Sequence, residues 1–221
     1  MERHLDENLT ELKTNLLNMG AMVQKCISDS IESLKTLDTS KAKEVIECDE
    51  KIDKCELKID EQCLDLLVLK QPVAVDFRFV TMVMKITNDL ERIADLAVDI
   101  SERVLELSGK PHLKPLIDIP KLTVIAQKML EDALTSFINQ DAELAKEVIL
   151  RDTEANHLRD LIQEELIKDF IVKDSNSVTR AIPLLLIARH LERICDHTTN
   201  IAEYIIYMVE AKIVKHRSSE L

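Results

Sequence analysis

The stretches "LERIADLAVDISE" (90–102) and "LERICDHTTNIAE" (191–203) match at seven of thirteen positions. An acidic phrase written twice, 101 residues apart, marks an internal repeat, and missing a repeat misassigns the whole fold. The likeness extends upstream. "KAKEVIECDEKID" (41–53) resembles "LAKEVILRDTEAN" (144–156), with Lys43, Glu44, Val45, Ile46 and Asp49 recurring as Lys146, Glu147, Val148, Ile149 and Asp152 at an offset of 103. One gap of two residues therefore separates the two blocks, and the chain reads as two copies of a unit of roughly 105 residues, an ordinary domain size.

Composition agrees with a helical, soluble protein. With 46% hydrophobic and 32% charged residues, 221 residues can bury a real core. Two Gly and 3% aromatic residues argue against sheets, which favour aromatic side chains and need tight turns. The opening "MERHLDENLTELK" has no apolar core of a secretory leader, and the longest apolar run, "IPLLLIA" (182–188), falls far short of the ~18 residues of a membrane span. Five Cys without a CxxC pair fit free thiols in a reducing cytoplasm. A net charge of −12 argues against nucleic acid as a partner, since phosphate backbones require a basic surface.

In the first segment Leu5, Leu9, Leu12, Leu16, Met19, Val23 and Cys26 alternate steps of four and three, the seam of a helix lying nearly parallel to its neighbours. Gly20 inside this run carries a propensity cost of about 1 kcal/mol relative to Ala. "LDTSKAKE" (37–44) turns the chain, with Ser40 and Glu44 placed to cap a second helix running to about Lys70. Pro72 is expected to open a third helix at its first position, and Gly109 to close it in the left-handed conformation. Prolines 111, 115 and 120 mark the boundary between repeats. The second unit should repeat the plan: helices at about 120–139, 142–172 and 178–215, with a turn at "KDSNS" (173–177), a kink at Pro183 and a frayed "HRSSEL" tail. The expectation is an all-α protein of two tandem three-helix bundles, six long antiparallel helices in all: residues 1–110, a Pro-rich linker at 111–119, and residues 120–221.

On a helix with Glu91 at zero, Asp95 falls near 40°, Asp99 near 80° and Glu102 near 20°, while Leu90, Ile93, Ala97, Ile100 and Val104 take the opposite arc. The second copy places Glu192, Asp196, Asn200 and Glu203 in the same stripe. A solvated polar face is one meaning of such a stripe. Against it, acids four apart repel by a few tenths of a kcal/mol per pair and no Lys relieves them within the stripe. If helices two and three form a hairpin about Pro72, Asp49 lies level with Asp95 and Asp53 with Glu91, because each pair averages 72. In the second unit Asp152 with Asp196, and Asn156 with Glu192, both average 174. Four oxygen-bearing side chains at each level can form a hard-cation site. The rotation of helix two is not given by this register, so both meanings stand on the residues alone.

"QPVAVDFRFVTMVMKITNDLERIADLAVDI" (71–100) and "IARHLERICDHTTNIAE" (187–203) resemble the PhoU family of phosphate-signalling regulators, and the resemblance covers essentially the whole chain. It implies a cytoplasmic protein of two three-helix bundles carrying metal ions or multinuclear clusters on the bundle surface, divalent or trivalent ions such as iron, Mn, Mg or Zn. Carried over by position, the metal motifs are Asp49/Asp53 with Glu91/Asp95, and Asp152 with Glu192/Asp196. Asn156 replaces the second acid of its motif, which implies a weaker or differently filled second site. The implied role is to link the ATPase of a phosphate-specific ABC transporter to a membrane sensor histidine kinase and to hold the starvation response off when phosphate is plentiful. A homodimer is the expected assembly, with the membrane reached only through partners.

Other constellations read as structure. Cys48, Cys55 and Cys63 share one helical face and make a seam of small apolar side chains. His190 and His197 lie beside the apolar arc, placed for interhelix packing or a hydrogen bond rather than metal. Asp76 and Arg78 open helix three as an exposed ion pair or, by the resemblance, as a partner surface. The catalytic rival, a carboxylate-bridged di-iron oxidase, needs two E-x-x-H motifs, and only Glu154 to His157 supplies one. A phosphate loop, a nucleophile elbow and an H-E-x-x-H motif are lacking as well, so an enzyme is not expected. A metal-free structural adaptor is the third reading.

Overall fold

The computed structural model describes residues 2–214. Six α-helices follow in order: α1 (Glu2–Thr36), α2 (Thr39–Asp65), α3 (Ala74–Leu107), α4 (Asp118–Asn139), α5 (Ala142–Glu165) and α6 (Val178–Glu210). No strand occurs among the described residues. Helices α1, α2 and α3 pack on one another, as do α4, α5 and α6, so each repeat is a three-helix bundle. The two bundles are not independent. Helix α3 packs along α6, α1 also touches α4, and the buried apolar side chains of both halves form one continuous core. Equivalent helices thus meet equivalent helices, the arrangement of an internal two-fold axis.

The turns are built alike. Leu37 takes a φ of 52° and Asp38 caps α2, its Oδ1 accepting from the backbone N–H groups of Ser40 (2.9 Å) and Lys41 (3.1 Å). In the second repeat Gln140 (φ 53°) and Asp141 do the same, with Oδ1 accepting from Glu143 and Leu144. The cap is therefore Asp38, two residues before the Ser40 expected, because a capping residue needs an extended backbone and Asp38 has it (φ −80°, ψ 101°). Pro72 likewise lies outside α3. Gln71 turns left-handed (φ 47°), Val73 is extended, and the helix begins at Ala74. Gly109 closes the α3 end at φ 74°, as its sequence position implied.

Both second helices end in a π-helical turn, Leu66–Lys70 and Leu166–Ile171, so the α-helical part is shorter than the periodicity suggested. Helix α4 starts at Asp118, two residues before the expected 120, and Pro120 sits in its first turn where a missing N–H is harmless. Pro183 lies inside α6, which runs unbroken to Glu210. A proline there leaves the carbonyl of Thr179 without its helical donor. Lys110, just beyond the end of α3, reaches that oxygen, Nζ to O 3.5 Å. The expected end of α6 near Lys215 gives way to a left-handed Ala211 (φ 56°), and the "HRSSEL" tail lies outside the described residues.

Gly20 finds its reason at the junction of the bundles. A Cβ there would meet Leu134 Cδ1 of α4 at 2.8 Å, so the missing side chain permits the close approach of α1 and α4.

Candidate functional site

Helix α3 turns its apolar arc inward: Leu90, Ile93, Ala97, Ile100 and Val104 are all fully buried. The acids therefore emerge on the side shared with α2, and the hairpin register holds. Asp49 lies close enough to Asp53 and Asp95 for both to act on it, and its carboxyl is raised first by burial and then by those two charges. Glu91 is pushed up to about 7, chiefly by burial and by Asp95, with Asp53 and Glu56 adding to the rise and Arg92 opposing it. One oxygen of each, Asp49 Oδ1 and Glu91 Oε2, is buried without a hydrogen bond.

The second repeat reproduces the pattern between α5 and α6. Asp152 is pushed up to about 6 by burial and by Asp196 and Glu192, and its Oδ1 is likewise buried and unbonded. Glu192 and Asp196 are raised mainly by burial. Asn156 donates from Nδ2 to Asp152 Oδ2 at 2.7 Å and so eases that acid, where Asp53 at the equivalent place repels Asp49.

Arginine supplies the relief that lysine does not. Arg92 reaches Asp95 Oδ2 at 2.9 Å and Glu91 Oε2 at 3.4 Å. Arg159 reaches Glu192 Oε1 at 3.3 Å. In these rotamers no group of three or more His, Cys, Asp or Glu among the described residues converges so as to hold a metal ion. The donor set is nonetheless all oxygen, and the buried Oδ1 of Asp49 in one set and of Asp152 in the other, each with neither hydrogen bond nor ion pair, is a demand that a cation meets. Asp49, Asp53, Glu91 and Asp95 would supply the first set, and Asp152, Asn156, Glu192 and Asp196 the second, once Asp95 and Glu192 swing from their arginines.

Not all of the stripe stays in these sets. Asp99 turns to the other bundle, 3.5 Å from His190 Nδ1, and Glu102 pairs with Arg103. Across the axis Asp89 Oδ1, buried in α3, accepts from Asn200 Nδ2 (3.2 Å) and meets His197 Nδ1 (2.7 Å). By the 101-residue offset, Asp89 answers to His190 and Asp99 to Asn200, so the two bridges are images of each other. Both histidines serve the interface, as their position beside the apolar arc suggested. The three cysteines of α2 pack along the core, Cys63 with its thiol pushed up to about 12 by burial. Asp76 and Arg78 form no ion pair within 4 Å among the described residues, and Arg78 instead lines a groove with Phe77, Lys85 and Tyr207. Glu56 and Asp60 were missed by the sequence reading although the signal existed. Asp49, Asp53, Glu56 and Asp60 lie at steps of four, three and four, one acidic stripe along α2.

A PhoU domain model matches the chain twice, at residues 16–104 and 119–205. The chain belongs to the PhoU family. The PhoU homolog of Aquifex aeolicus, a phosphate-specific transport system accessory protein, is 38% identical over 213 residues, 96% of each chain. The Escherichia coli phosphate-specific transport system accessory protein PhoU is 32% identical over 94% of this chain and 86% of its own. The crystal structure of PhoU from Pseudomonas aeruginosa superposes with a TM-score of 0.90 at 32% identity, covering 94% of this chain and 99% of that one. The doubled PhoU domain is the repeat announced by the LERI phrase, and the two matches bracket the proline-rich linker.

The raised carboxyls give a pH signature. A carboxyl whose folded pKa lies above its unfolded value (about 4 for Asp and Glu) favours the fold while protonated and loses that advantage as pH rises through the folded value. Chelator-treated protein should therefore lose thermal stability between about pH 5 and pH 7, the window set by Glu91 at about 7 and Asp152 at about 6. Melting temperatures across that range check it, and the Glu91→Gln chain should show a shallower fall. A profile identical in the two chains would remove Glu91 as its source.

Proposed function

We propose that this protein is an accessory protein of a phosphate-specific transport system and a negative regulator of the phosphate-starvation response. It acts in the cytoplasm as a non-enzymatic adaptor between the transporter ATPase and a sensor histidine kinase, reaching the membrane only through them. No helix among the described residues is long and apolar enough to cross a bilayer. The observation that carries the reading is the likeness, along nearly the whole chain, to relatives named for that transport system.

Deleting the protein should leave starvation genes expressed in phosphate-rich medium, because the kinase loses its restraint. Normal repression in the deletion strain would sink the proposal. Purified protein should show no hydrolase, oxidase or kinase activity of its own.

The same reading assigns cations to the two acid sets. Carboxylate and amide oxygens without thiolate or imidazole favour hard or intermediate ions such as Mg²⁺, Mn²⁺ or iron. Support comes from the buried, unpartnered oxygens of Asp49 and Asp152, one in each set. Elemental analysis after dialysis should find metal in the wild type, less in Glu91→Gln and in Glu192→Gln, and more at the second set in Asn156→Asp. Metal-free wild type, or unchanged content in both Gln variants, would leave the stripe a solvated face and the protein a metal-free adaptor. A homodimer is the proposed assembly.

A further inference from the structure

The two acid sets are images of each other, but their rims carry opposite charge. Applying the repeat offsets, Glu56, Asp60 and Asn88 of the first unit become Arg159, Gln163 and Arg189 of the second, while Arg92 stays Arg193. Side-chain relations follow the substitution. In the first unit Glu56 repels Glu91, and in the second Arg159 at the equivalent place pairs with Glu192. Over these four positions the charge changes from about one negative to about three positive; with Glu91/Asp95 and Glu192/Asp196 included, a rim of about three negative becomes a groove of about one positive.

These residues are not scattered. Arg159, Arg189 and Arg193, with Gln163, Glu192 and Asp196, line one open groove of about 600 Å³ between α5 and α6. Arg159 is held by Asp160 (2.8 Å) and Glu192 (3.3 Å), while its buried Nε makes no hydrogen bond. Arg189 and Arg193 are exposed and form neither a hydrogen bond nor an ion pair within 4 Å to any described residue. Arg189 acts on Glu192 and Arg193 on Asp196 from beyond ion-pair distance, so both guanidinium forks keep their N–H donors free. Beside the positioned Arg159 they match a doubly charged oxyanion, and the guanidinium fork suits phosphoryl oxygens. Ile167, Leu185 and Leu186 add an apolar wall to the same groove.

We propose that the α5–α6 groove binds a phosphate-type oxyanion, seated by Arg189 and Arg193 with Arg159 behind them. This goes beyond the regulatory role, and the anion contacts are made by the arginines alone. Glu192 and Asp196, assigned above to the second cation set, share the groove, so the metal-free chain is the stringent test of the arginines. The phosphoryl group belongs either to free inorganic phosphate or to a phosphate ester whose organic part lies on the apolar wall.

Isothermal titration of the full chain, freed of metal by chelator, separates the two with inorganic phosphate and AMP as probes. One saturable site is expected, weakened by added salt because the contacts are ionic. Arg189→Gln and Arg193→Gln should each weaken it about tenfold or more, the loss expected for one charge-assisted hydrogen bond. Lys121→Gln, an exposed cation on α4, should leave it unchanged. AMP binding tighter than phosphate, with phosphate competing, identifies an ester. Equal affinities identify the free ion. Absence of saturable binding by both probes, or equal binding in wild type and the two Arg variants, overturns the proposal. Both arginines lie on the surface, so circular dichroism of the variants should match the wild type. The wild-type titration stands as a test without them.

Discussion

Phe137→Ala is expected to destabilise the protein by about 3–5 kcal/mol, the usual cost of removing a buried aromatic side chain. Phe137 of α4 is only 1% exposed, and its ring stacks on Phe79 of α3 at 5.7 Å between centroids with 21° between planes. The pair joins one helix from each repeat. Truncation therefore removes transfer energy, leaves a cavity and loosens the junction between bundles together. Urea unfolding checks this, and a change below about 1 kcal/mol would mean that the site collapses or that the bundles hold without the aromatic contact.

One turn of α3 should separate core from site. Ile93 is fully buried, so Ile93→Ala is expected to cost about 2–5 kcal/mol. Glu91→Gln, two residues away, should cost the metal-free chain little or even stabilise it near neutral pH, because the carboxyl there is held in an environment that resists its charge. Comparable losses in both variants would show that Glu91 supports the fold rather than a site. The contrast is measurable in the same urea series.

The helix order, the repeat and the hairpin register were all legible in the chain. The seam from Leu12 to Val23 is buried throughout, and Asp49 and Asp95 do come level across the α2–α3 hairpin. Capping was read less well. Asp38 and Ser40 are both capping residue types, and only backbone dihedrals decide which one stands outside the helix. The site was half legible. Four acids at helical spacing were visible on α3, but Asp99 and Glu102 leave the set for His190 and Arg103.

By itself the sequence determined what repeats at short range: two units, three helices each, apolar seams on one arc and acids on another, since a helix converts spacing into direction at about 100° per residue. Only the tertiary structure decided how the units meet. A wheel gives the angle of a side chain about its own axis and says nothing of what faces it. Packing α3 against α6 buries Asp89 beside His197 and Asn200, packing α1 against α4 brings Leu134 over Gly20, and packing α5 against α6 sets Arg159 upon Glu192, an acid that its own helix leaves without an ion pair.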